Sequence, residues 1–317
     1  MSQQQLHLVV GAGPIGSAVA RRLAAADHRV RVVTRSGSGP DLPQVERVAA
    51  DASDAARMSE LAAGAAVVYN CVNPPYHRWS TDWPPIAASL LSAAERSGAV
   101  LATCANLYVY GPVDRPMTED MPLAATFTKG QVRARMWQDA LAAHEAGRVR
   151  VTEARGSDYV GPGAESHLGE RVMPKLLAGK KVTVMASADT THTWTYTEDM
   201  AATLVAIGSD ERAWGRAWHV PSALTGSQRE VLAQLAARVG APAPRVGTYS
   251  PLLIRAMGVV SPLMRELPEV AYQFEHDFVM DSSAAQRELG LAPTPAQDVL
   301  AAHLAAYAGT PAARRAA

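Results

Sequence analysis

Hydrophobic positions in the first half of the chain come in two alternating rhythms. The runs Leu6–Val10, Arg29–Thr34, Ala66–Cys71, Val100–Cys104 and Val149–Ala154 are short and largely apolar, each the length of one buried strand. Between them lie alanine-rich stretches with helical spacing. Ile15, Ala18, Val19 and Leu23 put an apolar face on a first helix, and further helices are predicted over Ile86–Ser97 and Gln131–His144. Strands alternating with helices read as βαβ units and predict an α/β fold with a doubly wound parallel sheet.

Beyond Arg155 the rhythm loosens. Val182–Met185 and Trp194–Thr197 read as short strands, Glu198–Ile207 and Gln228–Val239 as helices, and Ala217–Val220 as one more core strand. Pro242, Pro244, Pro251, Pro262 and Pro268 then punctuate a stretch from 242 to 279 that fits a small lobe better than a regular sheet. The expected division is an α/β domain over 1–165 and a mixed region over 166–317. Its smaller lobe would lie mainly in 166–195 and 240–295, with some elements returning to the core. The tail Ala312–Ala317 is expected to fray.

Composition narrows the partners. Among 317 residues, 48% are apolar and 19% charged, as suits a compact protein, and Lys plus Arg equals Asp plus Glu at 30 each. No net field points to nucleic acid or to a membrane surface. No apolar stretch has the length needed to cross a bilayer. The first ten residues lack the basic region and apolar core of an export signal. Cys71 and Cys104 make no disulfide framework, which fits a reducing cytoplasm. Both end adjacent strands in the usual order, so they are expected either as neighbours under a cofactor or as small buried hydrophobes.

The strongest local signal is Gly11-Ala12-Gly13-Pro14-Ile15-Gly16, a G-x-G-x-x-G between the first strand and first helix. In a Rossmann unit the first glycine makes the tight turn, the second admits a pyrophosphate, and the third lets helix pack on sheet. The helix N-terminus offers oriented N–H groups to the phosphates. The second strand ends in Thr34-Arg35-Ser36, where an NAD site usually carries an acid for the ribose 2′-hydroxyl. Arg35 instead suits a 2′-phosphate, with Ser36 adding a hydroxyl, so the expected cofactor is NADP(H). Asp51, after the third strand, is expected either to accept from the adenine amino group or to cap a helix.

Other segments widen the pattern: Ala105-Asn106-Leu107-Tyr108-Val109-Tyr110-Gly111, Thr118-Glu119-Asp120-Met121-Pro122, Arg155 through Tyr159 to Gly163, Tyr196-Thr197-Glu198-Asp199, and Glu288-Leu289-Gly290 with Pro293. Together they resemble the extended short-chain dehydrogenases/reductases, the group of the NAD-dependent epimerases and dehydratases. The chain is similar to an atypical member. That resemblance implies a Rossmann domain with a smaller C-terminal substrate lobe, and a catalytic Ser or Thr plus Tyr-x-x-x-Lys. Asn106 stands where the hydroxyl belongs. Lys129 is the lysine candidate, implied to hold the nicotinamide ribose, yet Ala125 stands four residues before it where the tyrosine belongs.

Asn106 can donate its amide to a carbonyl, but Ala125 cannot move a proton. Candidate donors are Tyr108, His192, Tyr76, His77, Tyr159 and Lys129 itself, each with an ordinary packing or surface role as its alternative. Arg133 and Arg135 are expected on a solvated helix face. The leading expectation is an NADP(H)-dependent oxidoreductase acting on a carbonyl/alcohol pair of a small organic molecule. The other two readings are an epimerase or dehydratase with retained cofactor, and a non-catalytic NADP(H) sensor. The helices near Ile86–Ser97 and Gln131–His144 offer a pairing face for a homodimer.

Overall fold

The computed structural model describes residues 4–164, 166–250, 259 and 261–308. Seven parallel strands form the main sheet in the order β10-β6-β5-β4-β1-β2-β3. They are β1 (Leu6–Val10), β2 (Arg29–Thr34), β3 (Val45–Ala49), β4 (Ala65–Asn70), β5 (Val100–Asn106), β6 (Arg150–Gly156) and β10 (Arg216–His219). This is the doubly wound α/β arrangement expected from the alternating rhythm. The order reverses between β1 and β4, and ligands bind at such a switch point, beyond the carboxyl ends of the strands.

Helices cover both faces, which is why the inner strands are apolar throughout rather than alternating. On one face α2 (Ala55–Ala62), α3 (Trp79–Ser97) and α4 (Thr128–Glu145) build a core around Met58, Trp79, Trp83 and Leu90. On the other, α1 (Pro14–Ala25) and α6 (Thr197–Ser209) pack Leu23, Met200, Leu204 and Ile207 against Val9, Tyr69 and Trp218. The third helix starts seven residues before the expected Ile86, despite Pro84 and Pro85 inside it. Proline discourages a helical reading there. Burial of Trp79 and Trp83, at 2% and 0% exposure, outweighs that penalty.

The chain leaves the main sheet at Gly156-Ser157 and enters a second layer at once. There β7 (Asp158–Val160), β9 (Thr193–Tyr196) and β11 (Leu224–Thr225) form a small sheet, while β8 (Val182–Val184) pairs with β12 (Val246–Thr248). Among the described residues the helices here are α5 (Met173–Leu177), α7 (Gln228–Arg238), α8 (Pro262–Val270), α9 (Tyr272–Glu275), α10 (Ser283–Leu289) and α11 (Ala296–Ala308). Most of this layer shares a core of Leu176, Trp194, Leu232, Leu235 and Phe274. The proline-punctuated stretch therefore holds helices as well as coil. Pro251 and the tail Ala312–Ala317 lie outside the described residues. No described helix is long and apolar enough to cross a membrane.

One buried polar network ties these parts together. Arg155 Nε donates to Glu153 Oε1 at 2.8 Å, and its Nη1 donates to the Tyr110 hydroxyl at 2.8 Å. That hydroxyl donates to His219 Nε2 at 2.7 Å, while His219 Nδ1 donates to the Asp281 carbonyl at 2.8 Å. Burial, with the Arg155 charge adding to it against weaker opposing bonds, holds His219 down at about 4. Two outcomes follow. Glu153→Gln leaves Arg155 buried without its counter-charge and should cost about 3–5 kcal/mol in urea unfolding. His219 ordinarily titrates near 6.5, so the unfolded chain takes up that proton first as pH falls. Its contribution, roughly 3 kcal/mol, is full above that value and lost progressively down to about pH 4, which denaturation at pH 7.5 and 4.5 should reveal.

Candidate active site

Each glycine of the loop meets a different neighbour. Gly11 takes φ +96°, a left-handed conformation, and a Cβ there would lie 2.5 Å from the Cys71 carbonyl oxygen. A Cβ on Gly16 would lie 1.9 Å from the Gly11 carbonyl oxygen, so α1 and the turn are in closest possible approach. Gly13 differs: nothing stands within 4 Å of its Cβ position. It is the N-cap of α1 with no side-chain cap, and Pro14 occupies the first turn. The first amides of α1 have no intrahelical acceptor, and the open position at Gly13 stands at that helix end, as an anion site requires.

At the end of β2, Thr34 Oγ1 donates to the Ser38 carbonyl at 3.0 Å, and Ser36 Oγ donates to Ser38 Oγ at 3.0 Å. Arg35 is exposed and makes no ion pair or hydrogen bond among the described residues. Asp51 Oδ1 accepts from the Ser53 N–H and hydroxyl at 2.9 and 2.8 Å, and these bonds, with a smaller effect of the Arg35 charge, lower its carboxyl. Asp54, not Asp51, caps α2 through its bond from Arg57 N–H. The capping alternative for Asp51 is thereby corrected: the cap falls three residues later, where the helical amides begin.

The second half of the site gathers at the end of β5. Asn106 Oδ1 accepts from the Tyr108 N–H at 3.3 Å, which leaves its amide N–H groups for another acceptor. The Tyr108 hydroxyl lies 2.7 Å from that of Tyr76 and is also bonded by the Gln273 side chain. Burial first, then the charges of Tyr76 and Asp158, push the Tyr108 hydroxyl far above its usual range. Lys129 Nζ stands 5.6 Å from the centre of the Tyr76 ring. Its ammonium is already held by Glu266 and Glu269 of α8, and its own N–H donates to Glu269 Oε1 at 2.9 Å.

Residues four apart share a face only within a helix. Ala125 lies in the loop before α4, so it does not stand beneath Lys129. The pair one turn apart and both turned inward is Lys129 and Arg133. Arg133 corrects the expected solvated face. It is buried, its guanidinium lies 4.8 Å over Trp79 and 4.3 Å over Trp83, and its Nη1 donates to the Cys104 carbonyl. Alternating arginines hid this, since Arg135 is indeed exposed and pairs with Asp139. The indole faces that hold Arg133 belong to the helix segment that the two prolines obscured.

The remaining candidates separate. Tyr159 donates its proton to the Ala105 carbonyl at 3.2 Å, and His77 is exposed on the turn before α3. Cys71 and Cys104 are near enough to influence each other, and burial keeps both as thiols, Cys104 at about 11. His192, fully buried before β9, is joined to the site through Gln273, whose carbonyl accepts from its Nδ1 at 3.2 Å. Asp158, a residue the motif reading passed over as part of a turn, lies 2.9 Å from His192 Nε2. Among the described residues no cluster of His, Cys, Asp or Glu has the form of a metal site.

The sequence profile of the NAD-dependent epimerase/dehydratase family matches residues 7–219, two-thirds of the chain and all but the first residue of its main sheet. The chain belongs to that family. Solved structures share the fold over nearly the full length. A dTDP-glucose 4,6-dehydratase from Streptomyces venezuelae, a DesIV double mutant with NAD and DAU bound, is 20% identical with TM-score 0.76, covering 97% of this chain and 98% of that one. The UDP-glucuronic acid 4-epimerase from Bacillus cereus in complex with NAD is 17% identical with TM-score 0.78, covering 95% and 98%. Epimerase Mth375 from Methanothermobacter thermautotrophicus is 17% identical with TM-score 0.79, covering 96% and 92%. No curated protein sequence matches.

The contrast between Gly13 and Gly16 gives a paired outcome. Gly13→Ala should leave the melting temperature unchanged while weakening dinucleotide binding by about tenfold or more. Gly16→Ala should lower the melting temperature itself, by an overpacking cost of about 1–3 kcal/mol. Calorimetry and fluorescence titration of both variants check this.

Proposed function

We propose that this family member is an NADP(H)-dependent oxidoreductase acting on a carbonyl/alcohol pair of a small organic molecule. The observation that carries the reading is the pairing of an open Gly13 at the α1 N-terminus with an uncommitted Arg35 at the end of β2. The loop fits a pyrophosphate. Arg35 fits a 2′-phosphate, which an acid at that position would repel. The bound dinucleotide supplies hydride chemistry, and the chain orients the substrate and handles the proton.

Asn106 suits the first task. With its oxygen engaged by the Tyr108 N–H, its amide N–H groups are available to a substrate oxygen on which negative charge develops. Tyr76, Tyr108, Phe127 and Tyr272 surround this end with aromatic rings in mutual contact, which favours a compact, moderately apolar substrate. Lys129 plays a different part from the one its resemblance implies. Two carboxylates already satisfy its ammonium, so it pins α8 over the site, and a ribose hydroxyl would have to compete with them.

Fluorescence titration should show NADPH binding about tenfold or more tighter than NADH, with Arg35→Glu reversing the preference. NADPH-dependent turnover across a panel of aldehydes, ketones and alcohols tests the reaction. Tight NADPH binding with no change in absorbance against any of them would overturn it.

A further inference from the structure

The two carboxylates on Lys129 leave the site without an obvious mobile proton, because Tyr108 is held far above neutrality and Ala125 carries none. A mobile proton is nevertheless present, on the small sheet. His192 Nδ1 faces the Gln273 carbonyl, which has no hydrogen, so Nδ1 must carry one. Its other nitrogen, Nε2, lies 2.9 Å from Asp158 Oδ2. Two lone pairs do not approach so closely, so one of the two groups carries a second proton, although the contact is an ion-pair approach and Oδ2 has no aligned hydrogen bond among the described residues. It belongs to the pair, and it can be released or regained with no heavy atom moving.

The surroundings fix where that proton rests and what it can reach. Burial alone would raise the Asp158 carboxyl, but the bond from His192 and the charges of His167 and His192 outweigh it and lower it. Asp158 is therefore the carboxylate of the pair, and the His192 ring facing it stacks on Phe274 and Phe278 at 4.6 and 5.2 Å, faces that favour a cation. Ser157 Oγ lies 3.3 Å from the same Nε2. On the outer side, His167 Nε2 stands 3.5 Å from Asp158 Oδ1, and its side chain is 27% exposed. Burial first, then His192 and Arg171, lower His167 against the pull of Asp158, so it is neutral and able to pass a proton inward. On the inner side, Asp158 is near enough to raise the hydroxyls of Tyr108 and Tyr272. The Tyr272 hydroxyl is buried with no partner among the described residues.

We propose that Asp158 and His192 form the acid/base pair of this site, exchanging one proton with the substrate oxygen, with His167 as their connection to solvent. This rests on the carbonyl/alcohol reading. In the reducing direction the carbonyl carbon accepts hydride from the reduced nicotinamide dinucleotide, and the C=O π electrons move to oxygen. That oxygen takes the proton of the pair, leaving neutral imidazole and carboxylate. His167 then restores the proton from water. Alcohol and oxidised dinucleotide are the products, and the reverse direction oxidises the alcohol.

The test uses the full chain with NADPH and whichever carbonyl of the panel turns over, comparing wild type, Asp158→Asn, His192→Gln and Asp158→Glu. Asp158→Asn and His192→Gln should each lose about 100-fold or more in kcat. NADPH affinity should not change, and the pH limb that wild type shows should vanish; Asp158→Glu should recover part of it. Independently of turnover, histidine-selective ¹⁵N NMR of the protein without ligand should show His192 protonated on both nitrogens at neutral pH, and on Nδ1 alone in Asp158→Asn. A folded Asp158→Asn with wild-type pH profile and kcat overturns the assignment and leaves the oxidoreductase reading standing. A neutral His192 in wild type also overturns it. Wild type inactive on every carbonyl and alcohol overturns both.

Discussion

The buried Arg155 guanidinium is the constraint on which the rest of the molecule depends. A cation at 1% side-chain exposure persists only if its counter-charge and hydrogen bonds are fixed, and Glu153 and Tyr110 supply them. Satisfying Arg155 fixes the carboxyl end of β6, the turn after β5 and, through His219, the end of β10 and the segment at Asp281. The functional residues hang from these points. Tyr108 stands two residues before Tyr110, and Asp158 three residues after Arg155, so the two sides of the candidate site are positioned by opposite ends of one polar network.

That arrangement also explains the division of labour between the layers. The main sheet supplies a dinucleotide loop whose geometry tolerates almost no change at Gly11 and Gly16, and an open face at Gly13. Only Ser157 separates the end of β6 from the small sheet, so there is no linker in which to drift. Titratable groups that sit on β7 and before β9 are thus held as firmly as any on the main sheet. Precision of this kind is what proton transfer needs, because the distance between donor and acceptor decides whether it occurs.

The main sheet was largely legible because its signals are local. Strands β1 and β2 are apolar runs bounded by turn residues, and the glycine loop carries its own mechanism. What was illegible depends on contacts distant in sequence. Trp79 and Trp83 make a helix of a segment that its prolines argue against, and the same two rings draw Arg133 inward from a helix face that reads as solvated. The partners of Lys129 lie about 140 residues away on α8. Asp158 reads as part of a glycine-proline turn, and only the fold brings it against His192. A partly buried aspartate followed by tyrosine, valine and glycine carries no periodicity that would single it out.

Ala125 sits in a tightly closed corner of the candidate site. A methyl on Gly130 would lie 2.3 Å from the Ala125 Cβ, and one on Gly111 would lie 3.2 Å from the Ala125 Cα. Three small residues from a turn, a loop and a helix have closed on one another, with the Ala125 N–H bonded to the Val109 carbonyl at 3.2 Å. Each now requires the other two to stay small. A ring at 125 would meet backbone and small side chains that already fill the room it needs, so this corner admits a larger residue only if all of its members change together.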